Sequence, residues 1–266
     1  MKLPSDLITP VIRSPGSWYT EAGPGTPFRS ILKRLQNGQN ICLTGTYGFA
    51  MSFYAWLKKY VEQRFPVSDY PSSRRHRKAL FTLQSRIWIS FRDHFPELMK
   101  SPANPWISAF YPETGVFLMT FTDYLGMNGA WQWFQKGIQY PVLNHLVHPF
   151  YGTYFPSRYD HLTLFDRWVP EHRNFRRVLD IGCGCGILSF ILLKHGIREI
   201  HATDINPNAV FSFRQDIHRV FGDGQNDLFI EKADLLGSFV PGAGDLILFN
   251  PPWIPEPPGK ELDRAT

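Results

Sequence analysis

Cysteine is scarce. The 266 residues hold three, Cys42, Cys183 and Cys185. An odd number without a repeated CxxC pair excludes a disulfide framework and points to a reducing compartment, the cytoplasm. The same shortage leaves no metal expected: Cys183 and Cys185 form a lone CxC that supplies two thiolates, with no His–Cys set beside it, and both are read as small loop fillers. Long apolar runs are also missing. Glu113 and Asp123 interrupt the greasiest region, so no segment qualifies as a transmembrane helix. The start, Met1-Lys-Leu-Pro-Ser-Asp6, lacks the apolar core of a signal peptide. "GTYGFAMS" (45–52) has glycines but no lysine where a P-loop requires one. No internal repeat or low-complexity tract is present.

The chain does have ample apolar residues, 43% of the total, enough for one large domain or two smaller ones. Its charge is divided unevenly. Residues 1–150 carry 16 Lys/Arg against 8 Asp/Glu, a net +8, whereas residues 151–266 carry 12 against 15, a net −3. A basic front half suits a phosphate-rich partner, although a solvated basic face reads equally well. The run Arg74, Arg75, His76, Arg77 and Lys78 concentrates that charge early in an expected helix, where the macrodipole prefers acids.

Residues 1–150 read as a mainly helical accessory region. The first 25 residues, rich in Pro, Gly and Ser, are expected to be irregular. Thr26-Pro27 reads as a cap and first turn ahead of Phe28, Ile31, Leu32 and Leu35 at helical spacing. Residues 40–47 and 115–121 read as strands. Residues 50–64, a basic stretch from Ser72 to about 95, and residues 130–138 read as helices. From about 157 the pattern changes to an amphipathic helix, then strand 177–181, helix 187–196, strand 199–204, a helix from Asn206-Pro207 to 221, and strands 227–231 and 245–250. Strands alternating with helices at this density imply a doubly wound α/β domain over residues 151–266, with a parallel sheet.

Chemistry concentrates in that second half. "VLDIGCGCGILSF" sets Gly182, Gly184 and Gly186 between the first strand and its helix, where glycine permits a tight turn and close backbone approach to a ligand. The GxGxG spacing fits the dinucleotide fingerprint poorly, because the final position is Ile187. Asp204 closes the second strand, where an acid can take ribose hydroxyls; capping the next helix is the other reading. Asp234, after the third strand, is read as an acceptor from an adenine amine or as a simple loop acid. Asp180 is read as part of the nucleoside site or as an organiser of the glycine turn. The fourth strand runs into Asn250-Pro251-Pro252-Trp253, and two donor-free prolines stop any strand or helix.

In "DIGCGCG", Asp204, Asp234 and "NPPW", over roughly residues 155–255, the chain resembles the class I S-adenosylmethionine-dependent methyltransferases. The likeness is to their amino-methylating (N/D)PP(Y/F/W) branch, which includes N6-adenine and release-factor glutamine methyltransferases. "YFPSRYDHL" (154–162) is loosely similar to the Pro-Arg segment of the glutamine-modifying members. The resemblance implies a Rossmann-like fold, S-adenosyl-L-methionine as cofactor and methyl transfer to a planar nitrogen, an adenine amine in nucleic acid or a glutamine amide in protein. It places Asp180, Gly182, Gly184, Gly186, Asp204 and Asp234 around the cofactor, and Asn250, Pro251 and Trp253 at the reacting nitrogen. Nucleic acid or a translation-related protein follows as partner, with no membrane. The competing expectation is a non-catalytic methyltransferase-like module that binds nucleic acid or the ribosome. Family members continue past this motif with further strands, whereas 16 residues follow Asn250 here. The chain is therefore expected to be truncated or split, with sheet order 3-2-1-4. Strand 245–249 should then lie at an open edge through which copies associate, and isolated activity should be low.

Overall fold

The structure, a computed structural model, describes residues 3–172, 174–222, 227–239, 242 and 244–250. It divides into two units, one of Met1–Leu3 and Thr9–Asn128, the other of Pro4–Ile8 and Gly129–Thr266. The division falls near residue 128 instead of 150. The reason is that Ile138, Tyr140, Val142, Leu143 and Val147 are buried in the core of the second unit.

The first unit contains β1 (Ile12–Arg13), β2 (Tyr19–Ala22), α1 (Phe28–Gln36), β3 (Asn40–Leu43), α2 (Tyr47–Arg64) and α3 (Tyr70–Gln84). Then come β4 (Ile87–Arg92), β5 (Phe95–Pro96), α4 (Pro105–Phe110), β6 (Val116–Thr120) and the start of α5 (Phe121–Lys136). Helical residues outnumber strand residues, but a six-stranded mixed sheet organises the unit, in the order β1-β6-β4-β3-β2 with β5 against β4. The parallel run β2-β3-β4 is joined by helical crossovers.

Several expectations are corrected here. The first 25 residues are not wholly irregular, since they supply β1 and β2. The basic helix ends at Gln84, and Ile87–Arg92 leaves it to become a central strand, as its Ile-Trp-Ile run favours. That helix also begins earlier, at a capping box formed by Asp69 and Ser72. Thr26 does not cap α1; its hydroxyl accepts instead from the Gly23 amide, and Pro27 holds the cap position. Thr46 starts α2 three residues before the expected point by accepting from Phe49 N.

The second unit continues with β7 (Ile138–Gln139), β8 (Leu146–Val147), α6 (Asp160–Glu171), β9 (Arg177–Ile181) and α7 (Ile187–Lys194). It closes with β10 (Glu199–Asp204), α8 (Pro207–Phe221), β11 (Leu228–Lys232) and β12 (Leu246–Phe249). Its main sheet is parallel throughout, in the order β11-β10-β9-β12. That is the expected 3-2-1-4, with β12 at an edge of the described sheet. Helix α7 is apolar on nearly every side and buries six of its eight residues, with Lys194 at its end exposed. Residues 4–8 join this unit through a clasp. Asn208, fully buried on α8, accepts from Ile8 N at 2.7 Å and donates to Ile8 O at 2.8 Å. No helix of the described residues is long and apolar enough to cross a membrane.

Candidate functional site

The ends of β9, β10 and β12 meet at the carboxyl edge of the sheet, and the glycine loop crosses there. Gly182, Gly184 and Gly186 all have positive φ, at +70°, +54° and +79°. Beyond that shared conformation, each has a different reason to be glycine. A Cβ on Gly186 would meet the Phe213 ring at 2.3 Å, so this glycine lets α7 and α8 pack closely. A Cβ on Gly184 would lie 3.0 Å from the Tyr154 carbonyl. On Gly182 it would meet nothing within 4 Å, which marks open space on the ligand side of the turn.

The loop amides are committed within the domain. Gly182 N and Cys183 N donate to Thr203 O, Gly184 N to Asp204 Oδ2, Cys185 N to Tyr154 O, and Gly186 N to Cys183 O. Asp180 stands at the start of α7, where its Oδ2 accepts from Ser189 Oγ at 2.6 Å and the Ser189 backbone adds another hydrogen bond. Burial, helped by the nearby Asp204 charge, pushes this carboxyl up to about 6 against those bonds. A pyrophosphate would therefore find neither the loop amides nor the positive end of α7 available, which counts against a dinucleotide. What remains for a ligand at the turn is open space at Gly182 beside carboxylate and carbonyl oxygen. That set of acceptors fits the α-ammonium group of S-adenosyl-L-methionine.

Asp204 occupies the end of β10, with one oxygen accepting from Gly184 N and the other from Asn206 N at 2.9 Å. Burial raises its carboxyl, and the two amides act in the opposite direction. It does not cap α8 itself. Asn206 does so, accepting from Asn208 N at 3.0 Å, and Asp204 braces that cap against the glycine loop. Each Asp204 oxygen retains a further lone pair for a ribose hydroxyl. Asp234 is exposed on the turn after β11, where its carbonyl accepts from Gly237 N. That turn is built on Glu231, whose Oε1 accepts from Ser238 N, Ser238 Oγ and His201 Nε2 at 2.9 Å each.

A cavity of about 40 Å³ is lined by Tyr154, His161, Asp180, Gly182, Leu188 and Asn250. It thus brings together Asn250, Asp180 and Gly182, and adds Tyr154 from the segment before α6 and His161 from the first turn of α6. Pro156 of the segment before α6 lines it as well. Gly184, Gly186, Asp204 and Asp234 are not in its wall. Pro251, Pro252 and Trp253 lie outside the described residues. Cys183 and Cys185 are buried in the core, and burial pushes both thiols up. Among the described residues no group of three His, Cys, Asp or Glu is arranged to hold a metal. Two supporting residues carry only faint sequence signals. Ser189 is the one polar residue ahead of Lys194 in an otherwise apolar helix, and Glu231 is an acid near the end of a strand.

Residues 163–257 match the family model described as Methyltransferase small domain. A putative protein N5-glutamine methyltransferase of Methanocaldococcus jannaschii is 37% identical over 86 residues, covering 32% of this chain and 41% of that protein. Ribosomal RNA large subunit methyltransferase G of Streptomyces coelicolor is 30% identical over 158 residues, 58% of this chain and 35% of that protein. A ribosomal protein L11 methyltransferase of Thermoanaerobacter sp. is 38% identical over 73 residues, 27% of this chain and 22% of that protein. The chain spans less than half the length of each of these relatives. The matched segment holds the glycine loop, Asp204, Asp234 and Asn250 in order on a parallel α/β sheet, so residues 163–257 are of the methyltransferase small-domain type, with a class I methyltransferase-like fold and S-adenosyl-L-methionine as cofactor.

Proposed function

We propose that the protein transfers a methyl group to a planar nitrogen, an adenine amine in nucleic acid or a glutamine amide in protein. The observation that carries this reading is Asn250, set at the end of β12 in the wall of the cavity that Gly182 also lines. S-adenosyl-L-methionine, when bound, supplies an electrophilic methyl on a sulfonium. The chain's part is to hold and orient. The Gly182 turn and Asp180 face the amino-acid end, and Asp204 takes the ribose. The Asn250 side-chain oxygen accepts one N–H of the substrate nitrogen. Pro251 and Trp253 are assigned the second acceptor and the stacking surface from the sequence motif alone. Two fixed acceptors favour a pyramidal nitrogen with its lone pair aimed at the methyl, which is catalysis by positioning and electrostatics without a strong base. The names of the relatives include protein glutamine, ribosomal RNA and ribosomal protein L11, which favours an acceptor in the translation apparatus.

One observation favours a second reading, a methyltransferase-like module that binds nucleic acid or the ribosome without catalysis. The partly open cavity, about 40 Å³, has room for only a few waters, so most of a nucleoside would rest outside it. Calorimetry with S-adenosylmethionine, S-adenosylhomocysteine and NAD separates the two. Tight binding of the first pair supports the enzyme, and no nucleoside binding supports the module. Asn250→Ala should leave cofactor affinity nearly intact and abolish turnover, whereas Asp204→Ala should weaken cofactor binding first. Equal loss of binding in both variants would refute this division of roles.

A further inference from the structure

The positive charge of the front half has a definite location. Between Phe28 and Gln84 the chain carries ten Lys/Arg and two acids, Glu62 and Asp69, a net +8. The rest of residues 1–150 carries six of each sign, so the whole excess resides in the span of α1, α2 and α3. These three helices pack on one another. Nine of the ten cations are exposed, and Asp69 is already engaged as the cap of α3.

Helix α3 sorts its residues by face. Ser72, His76, Ala79, Leu80 and Leu83 are buried or half-buried, while Tyr70, Arg74, Arg77, Lys78 and Phe81 form the opposite, exposed stripe at helical spacing. Three cations thus lie between two exposed aromatics along roughly 16 Å of helix. Tyr70 is 53% exposed and Phe81 41%, and Phe65 at the end of α2 is exposed too. Like charges three and four residues apart work against the helix, and it has no acid in its first turn to balance them. A cationic groove interleaved with aromatic faces is the arrangement that holds single-stranded nucleic acid, whose phosphates meet the cations and whose bases stack on the rings. A duplex offers the phosphates but hides the base faces.

We propose that the exposed face of α1–α3, centred on the stripe Tyr70-Arg74-Arg77-Lys78-Phe81, binds single-stranded nucleic acid. This deepens the reading above by favouring a nucleic-acid acceptor over a protein one. Its test needs neither cofactor nor methyl transfer, so either idea can fail alone.

The experiment is fluorescence anisotropy of the full chain with labelled 12-mers of oligouridylate and oligothymidylate, with a duplex RNA of equal length and phosphatidylserine vesicles as contrasts. Single strands should bind at 50 mM KCl. If about four phosphates are neutralised, affinity should fall about 50-fold by 200 mM, since each phosphate contributes about −0.7 to the logarithmic salt slope. The triple change Arg74→Glu, Arg77→Glu and Lys78→Glu should weaken binding at least tenfold and reduce the slope by about two. Tyr70→Ala with Phe81→Ala should weaken it about tenfold and leave the slope unchanged. A preference for one 12-mer identifies RNA or DNA as the source. All substituted residues are exposed, and the glutamine triple at 74, 77 and 78 serves if charge reversal disturbs folding. No binding at 50 mM KCl, insensitivity to either triple, or equal duplex binding with no aromatic effect would overturn the proposal. Capture of vesicles but not oligonucleotides would do so too.

Discussion

Alanine at Gly182 and at Gly186 makes the same chemical change in the same loop, yet the structure requires different outcomes. Both positions have φ near +70° to +80°, so each alanine incurs about 1 kcal/mol for the left-handed conformation. At Gly182 the new methyl meets nothing within 4 Å, and the loss of stability should stop there. At Gly186 it would lie 2.3 Å from two Phe213 ring atoms, far inside the usual 3.5–4.0 Å separation of carbon atoms. Phe213 is itself fully buried, with no room to retreat, and overpacking of this kind costs a further ~1–3 kcal/mol. Gly186→Ala should therefore destabilise by about 2–4 kcal/mol against about 1 kcal/mol for Gly182→Ala, read from urea denaturation. Phe213→Leu should recover part of the Gly186→Ala loss and show coupling of about 1–3 kcal/mol in a double-mutant cycle. Calorimetry with S-adenosylhomocysteine should rank the pair in reverse, because the Gly182 methyl enters the cavity shared with Asn250. Equal destabilisation within about 0.5 kcal/mol, or no coupling to Phe213, would refute the packing argument. Unchanged ligand affinity in Gly182→Ala would refute the placement of the site.

Three further outcomes are expected. The folded pKa of Asp180, about 6, is above the ordinary carboxylate value of 3.8, so the stability it confers is full below about pH 4 and lost as pH rises through 6. Asp180→Asn should flatten that fall by up to about 3 kcal/mol in urea titrations at pH 4 and 7, and an unaltered slope would show the group is not desolvated. Glu231→Ala should abolish hydrogen-exchange protection of the Ser238 amide while Glu231→Gln retains most of it; equal protection in both would exclude the carboxylate as the anchor of the turn. Asn208→Ala removes both bonds to Ile8 and should cost about 2–4 kcal/mol and expose residues 4–8 to protease, so a resistant arm would contradict the clasp.

The second unit was legible because its strands are parallel and apolar, with β9 and β10 largely buried, so they read as short apolar runs with firm ends. Ile181 and Asp204 end their strands where expected. The four-strand order was implied by the resemblance to class I methyltransferases. The first unit concealed its sheet. Only β3 and β6 stand out from the apolar pattern, because β2 is an exposed, polar strand and β4 continues the spacing of the helix before it. Within the site, the glycines, the acids and Asn250 could be placed on elements by motif, but their bonding could not. That Asp204 spends both oxygens on the Gly184 and Asn206 amides depends on a loop returning across the strand end, and no spacing rule encodes that return. Ser189 beneath Asp180 and the Glu231 turn were hidden for the same reason: each is a contact between neighbouring elements.

The Ile8–Asn208 clasp sets an order of events in time. Its halves are separated by 200 residues, and translation at about 5–20 residues per second places roughly 10–40 s between their appearances. Ile8 is made 200 residues ahead of Asn208, and the arm lacks that partner until α8 has left the ribosome. All of residues 9–128 are made within that interval. A nascent chain halted anywhere short of Asn208 keeps the arm's amides and carbonyls in water, open to proteases and to factors that read young chain ends. Docking of the arm thus reports that synthesis has passed the glycine loop and the second strand of the methyltransferase sheet.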